Sequence, residues 1–231
     1  MTPLPMRWRW GVLGAGLVVA ACSRPAQEAE TSPAPAPAGQ SDSAAIARAG
    51  ADSARYPYTA ADVHFMSAMI GHHSQALLMA GWAPTHGASP AVRTLAERII
   101  NGQQDEIATM ERWLRDRRKP VPEASRMGGN GHSPGPGHGG APHAMPGMLS
   151  EAQLQQLQQA KGAEFNRLFL TFMIQHHRGA VSMVQELFGT PGAARDETVF
   201  KFANDVSVDQ RTEVARMERM LAELGSRTSS Q

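Results

Sequence analysis

The chain has 231 residues, with 22 Lys or Arg against 21 Asp or Glu and a formal net charge of +1. So even a balance leaves no basic footprint and excludes nucleic acid as an expected partner. Cys22 is the only cysteine, which excludes an internal disulfide and a thiolate cage; any metal site must use imidazole, thioether, carboxylate or amide donors.

At the N-terminus, Arg7 and Arg9 precede an uncharged run from Gly11 to Ala21. The run is too short to span a bilayer but suits the apolar core of a secretory signal. It closes on Val19-Ala20-Ala21-Cys22, which resembles the lipobox of bacterial lipoproteins. That resemblance implies a signal peptide over residues 1–21, lipidation of Cys22, and a protein anchored to a membrane of the cell envelope on its periplasmic or extracytoplasmic side. Residues 22–55 are rich in Ala, Pro, Ser, Gln and Glu, with almost no large apolar side chains. Such a stretch buries too little surface to offset its ordering entropy, so a disordered tether is expected there.

From residue 56 to 226 the pattern becomes helical. Thr59, with Asp62 three residues on, reads as a capping box. The stripe that follows, Val63, Met66, Met69, Ile70, His73, Ala76, Leu77, Ala80, has the helical period. Gly81, Pro84 and Gly87 end it. Ser89-Pro90 supplies an N-cap and a first-turn proline for a second helix through Val92, Leu95, Ile99, Gln103, Ile107, Met110 and Leu114. Residues 127–148 then form a linker of Gly and Pro with His132, His138 and His143. Two readings apply to it: weak metal capture by those histidines together with Met127, Met145 and Met148, or a flexible spacer. Ser150 opens a short helical piece with a break at Gly162. A third long helix carries Phe165, Leu168, Phe169, Phe172, Met173, His176, Ala180, Met183 and Leu187. After the turn Gly189-Thr190-Pro191-Gly192, a fourth runs through Val199, Phe202, Val206, Gln210, Val214, Met217 and Leu221. No stretch alternates as a strand would, so the domain is expected to be all-α.

The two halves repeat. MIGHHSQA at 69–76 answers MIQHHRGA at 173–180, and Gln103, Glu106, Ile107, Met110 and Leu114 answer Gln210, Glu213, Val214, Met217 and Leu221. Each half is a helical hairpin with His-His on its first helix and Gln-x-x-Glu on its second. Neither hairpin can bury its own apolar stripe, and two together make a four-helix bundle.

Met-Ile-x-His-His-x-x-Ala followed by Gln-x-x-Glu-(Ile/Val)-x-x-Met resembles the domain-of-unknown-function 305 family, over roughly residues 59–224. The resemblance implies a ferritin-like four-helix bundle, and the family includes CopM-type periplasmic copper-binding proteins. Carried over position by position, it points to His72, His73, His176 and His177, with Met66, Met69, Met79, Met173 and Met183 on the same helices. Copper as Cu(I) or Cu(II) is the implied ion, since thioether sulfur suits Cu(I) and imidazole suits either state. Glu106 and Glu213 read either as groups that orient an imidazole or as helix-surface charges paired with arginine. Adjacent histidines lie about 100° apart around a helix, so in each pair one ring is expected to face the bundle and the other its edge.

The competing reading of any single methionine here is core filler. A lone histidine on an apolar face is likewise more often hydrogen-bonded core than ligand; two equivalent pairs beside methionines are harder to assign that way. The function expected is copper binding, buffering or delivery in the envelope, without catalysis. One alternative is a metal-free interaction module, and a lesser one a copper-dependent oxidoreductase. The sequence has no Glu-x-x-His di-iron motif and no His-Glu-x-x-His.

Overall fold

The computed structural model describes residues 38–55, 57–123 and 145–228. Cys22, His132, His138 and His143 lie outside the described residues. The described residues form helices and no strand: α1 (Ala38–Arg55), α2 (Ala60–Gly81), α3 (Pro90–Asp116), α4 (Glu151–Gln159), α5 (Gly162–Gly189) and α6 (Glu197–Thr228). None of them is long and apolar enough to cross a membrane. α2 pairs with α3 and α5 with α6, and the two hairpins meet along α2 and α5. The result is an all-α, ferritin-like four-helix bundle.

Local chemistry sets the helix ends. Thr59 N–H donates to Asp62 Oδ2 (2.6 Å) while Asp62 N–H donates back to Thr59 Oγ1 (3.3 Å), which closes the capping box on α2. The other oxygen of the fully buried Asp62 accepts from Ala194 N–H at 2.7 Å, so one carboxylate caps α2 and ties it to the α5–α6 turn. Ser89 caps α3 with Pro90 in its first turn, and Ser150 caps α4 through a second box with Gln153. The α4–α5 break sits at Ala160 and Lys161, both extended, followed by Gly162 at φ +58, whose N–H donates to the His86 carbonyl at 2.8 Å. Asp196 Oδ1 accepts from Val199 N–H and from Trp113 Nε1–H, both at 3.1 Å, and its Oδ2 pairs with Arg117 at 2.6 Å.

One expectation needs correction. Residues 38–55 belong to a helix, not a wholly disordered tether. Composition misleads there because alanine, the best helix former, needs no apolar stripe of its own; Ala49 is buried and α1 packs on α3.

The core is divided. One apolar cluster holds Met66, Met69, Ile70, Met110, Trp113, Leu114, Met183, Leu187, Phe202 and Val206. The other holds Ala76, Met79, Leu95, Ile99, Phe165, Phe169, Phe172, Met173 and Met217. On every long helix the chain passes from one cluster to the other through buried polar residues: His72 and His73 on α2, Gln103 on α3, His176 and His177 on α5, Gln210 on α6. A polar layer therefore crosses the bundle at mid-height.

Candidate metal centre

All four histidines of the repeated motif are fully or almost fully buried, at 0 or 1% exposure. This corrects the expectation that one ring of each pair lies at the bundle edge. The roughly 100° between neighbours is used differently: His72 and His176 face each other across α2 and α5, and His73 and His177 turn within their own hairpins. The rings of His72 and His176 lie with centroids 3.8 Å apart, tilted by 39°. His73 Nε2–H donates to Glu106 Oε2 on α3, and His177 Nε2–H donates to Glu213 Oε2 on α6, both at 2.7 Å. The two pairs are equivalent in the two hairpins, and no arginine among the described residues pairs with either glutamate.

His72 has a third kind of partner. Its Nε2–H donates to the backbone carbonyl of Pro146 at 3.0 Å. A carbonyl and a carboxylate oxygen can only accept, so these three rings carry their hydrogen on Nε2. In the neutral ring the basic lone pair is then on Nδ1. The Nδ1 atoms of His72, His73, His176 and His177 are all buried without a hydrogen-bond partner, as is Nε2 of His176. Burial, reinforced by His73, lowers His72 to a pKa of about 3, and burial with the neighbouring His72 and His177 holds His176 well below the usual histidine range. These two rings are neutral at physiological pH.

A buried unpartnered lone pair costs about 1–3 kcal/mol, and natural cores leave few of them. Four in one layer fit a group that accepts electron pairs. A ring that donates its N–H to oxygen and turns its other nitrogen to a cation is the usual form of a metal-ligating histidine. The donor set therefore fits a metal ion of the imidazole-binding kind. Among the described residues no three His, Cys, Asp or Glu side chains form a preassembled cage, so thioether, amide or rotated imidazole groups would have to complete the coordination.

The predicted methionines are not gathered at one point. Met69 and Met173 lie one turn before the histidines of their helices, in different apolar clusters on either side of the layer. Met66, Met79 and Met183 each sit six residues from the nearest motif histidine, about 9 Å along the helix axis, and are packed as core. Gln103 and Gln210, not singled out as site residues from the sequence, belong to the layer: both are buried, with Gln103 Nε2 and Oε1 and Gln210 Oε1 unpartnered. Their signal was already present in the equivalence of Gln103 and Gln210 across the repeat. Asp209 was also missed. Its pKa is raised by partial burial and then by Glu106, Glu213 and Asp205, so carboxylates of both hairpins stand near it.

The family model described as domain of unknown function (DUF305) matches residues 62–221. The chain belongs to the DUF305 family. A DUF305 fragment from Deinococcus radiodurans is 31% identical, with a TM-score of 0.58 over 72% of this chain and 98% of that one. A DUF305 protein from Streptomyces coelicolor, named as a candidate secreted protein, is 25% identical, with a TM-score of 0.60 over 71% and 92%. CopM in its Cu(II)-bound form is 29% identical, with a TM-score of 0.54 over 70% and 96%. CopM is also known in Cu(I)-bound and Ag-bound forms. Protein L153 of Acanthamoeba polyphaga mimivirus is 37% identical over 57 residues; the match spans 38% of its length and 25% of this chain.

Proposed function

We propose that this DUF305 protein binds a soft or borderline metal ion, copper first among them, at the histidine layer, and that it stores or hands on the ion without turning over a substrate. The observation that carries the reading is the set of four buried Nδ1 atoms without hydrogen-bond partners, three of them on rings whose Nε2–H is already engaged by Glu106, Glu213 or Pro146. His72, His73, His176 and His177 are the proposed imidazole donors. Met69 and Met173 are thioethers one turn from the motif histidines, and they suit Cu(I). CopM, of the same fold, supports copper as the ion. When bound, copper would supply a Lewis acid that satisfies the lone pairs; the chain supplies neutral rings, fixed tautomers and an apolar surround.

We further place the protein in the cell envelope, exported by residues 1–21 and lipid-anchored at Cys22, with the metal ion as its partner. The signal-like sequence and the Streptomyces relative support an extracytoplasmic site of action.

Competitive titration of the metal-free protein with Cu(I), Cu(II), Ag(I) and Zn(II) tests the reading, alongside single His72→Ala, His73→Ala, His176→Ala and His177→Ala variants. Submicromolar Cu(I) or Cu(II) binding that drops in these variants is expected. Binding no tighter than millimolar leaves a metal-free interaction module, and histidine-independent binding moves the site elsewhere in the chain.

A further inference from the structure

The two octapeptides 69–76 and 173–180 differ at only three positions, and two of these exchange the same residues in opposite senses. Gly71 stands where the second repeat has Gln175, and Gln75 where it has Gly179. The exchange coincides with a segment that has no counterpart in the other half of the repeat. Residues 145–150, the end of the long linker, lie as a strap across α2 and α5 beside the histidines.

The glycines make room for it. A Cβ on Gly179 would stand 1.9 Å from the Pro146 oxygen and 2.6 Å from Gly147 Cα. Gly147 itself, at φ +76, sits so close that its own Cβ would meet Gln175 O at 2.6 Å. Over Gly71 lies the methyl of Met145, 3.7 Å from where a Cβ would be. The glutamines hold the strap down. Gln75 receives Leu149 N–H on Oε1 at 2.8 Å and donates Nε2–H to the Leu149 carbonyl at 3.2 Å. Gln175 Nε2 donates to the Gly147 and Met148 carbonyls at 3.4 and 3.5 Å, while its Oε1 accepts from Gln153 at 3.0 Å. So seated, the strap aims the Pro146 carbonyl at His72 Nε2.

We infer that residues 145–150 are a positioning element of the histidine layer, with the Pro146 carbonyl fixing the tautomer of His72 as Glu106 and Glu213 fix those of His73 and His177. The strap covers one side only, so His72 is locked with Nδ1 as its donor, while His176 has no such lock: neither of its nitrogens makes a hydrogen bond of ordinary length, and only the His72 backbone carbonyl stands near its ring. The consequence for affinity rests on the metal-binding reading; the tautomer itself is a property of the metal-free protein.

The test is Gly179→Ala in the full-length protein, with Gln75→Ala as a second variant. Alanine is preferred over glycine inside a helix, so α5 is not weakened by the first change and the strain falls on the strap. Amide exchange at Leu149 reads whether the strap has lifted. Side-chain 15N shifts of His72 in metal-free protein read the tautomer, and competition with Ag(I) reads affinity. Expected are faster Leu149 exchange, loss of the single Nε2–H form, and Ag(I) binding weaker by roughly ten- to a hundredfold. A strap that stays docked in both variants, or a lifted strap with the His72 tautomer unchanged, overturns the inference. A shifted tautomer in a protein whose wild type binds no Ag(I) or Cu(I) keeps the strap's role and removes the metal reading.

Discussion

His72 and His176 hold the same place in the two repeats and face each other with ring centroids 3.8 Å apart, yet only His72 makes a ring hydrogen bond of ordinary length, to the Pro146 carbonyl. A pair of rings this close and this deeply buried is stable only while neither is protonated, since a charge there would lack both solvent and a counter-ion.

Stability should therefore depend on pH with a definite sign. Unfolded, both rings titrate near 6.5; folded, His72 is lowered to about 3 and His176 well below its usual range. Below 6.5 the unfolded chain binds protons that the native protein refuses, so stability is complete above that value and falls as the solution is acidified towards 3. Urea unfolding of metal-free protein between about pH 7.5 and 5 should show a loss of about 1 kcal/mol per pH unit for each ring over the lower part of that range. The paired change His72→Leu and His176→Leu should flatten the slope.

Removing the carboxylates should weaken metal binding without unfolding the protein. Glu106 and Glu213 are 19% exposed at the side chain, and each holds the Nε2–H of a fully buried histidine. Glu106→Ala and Glu213→Ala are each expected to reduce Cu(I) affinity by about ten- to a hundredfold. Competition with a chromophoric chelator measures it; unchanged affinity in both would reduce the pairs to ordinary hydrogen bonds.

The methionines should separate into two groups. Leucine is close to methionine in volume, so Met→Leu in these cores should cost under about 1.5 kcal/mol. Met69→Leu and Met173→Leu, next to the layer, are expected to weaken Cu(I) while leaving Cu(II) nearly unaffected, because only the reduced ion seeks sulfur. Met66→Leu and Met79→Leu should change neither. Parallel titrations in both oxidation states decide it.

Away from the layer, Asp196 anchors the bundle end. Asp196→Ala leaves the Arg117 guanidinium, 6% exposed at the side chain, without its counter-ion and removes acceptors for Trp113 Nε1–H and Val199 N–H. A loss of about 3–5 kcal/mol is expected. Arg178→Ala breaks an ion pair whose partners are 65% and 47% exposed, and should cost no more than about 1 kcal/mol. Thermal or urea unfolding of the two variants compares them directly.

The helices were legible because their signals are local. Thr59 with Asp62, and Ser89 with Pro90, mark helix starts within a few residues, and the repeat of Met-Ile-x-His-His fixed which helices pair. The orienting role offered for Glu106 and Glu213 could be framed at the same level, since hairpin geometry brings the second helix back onto the first. Three things could not be read. Helical period tells which face Met66 or Met183 shares with a histidine but not how far along the axis an ion could be shared. The Pro146 oxygen is a backbone atom and has no signature in residue identity. The exchange of Gly71 and Gln75 for Gln175 and Gly179 looks like drift between repeats until the strap gives it a shape. Alanine-rich α1 was hidden for the opposite reason, by a composition common to tethers and to solvent-facing helices.

The division of the apolar interior into two clusters has a mechanical corollary. Most bundles are stiffest at their waist, where oily side chains interlock without interruption, and loosen towards the tips. In this chain the waist is where hydrocarbon gives way to rings and amides with nitrogens and oxygens left unpartnered, so the tips grip and the girdle is the seam.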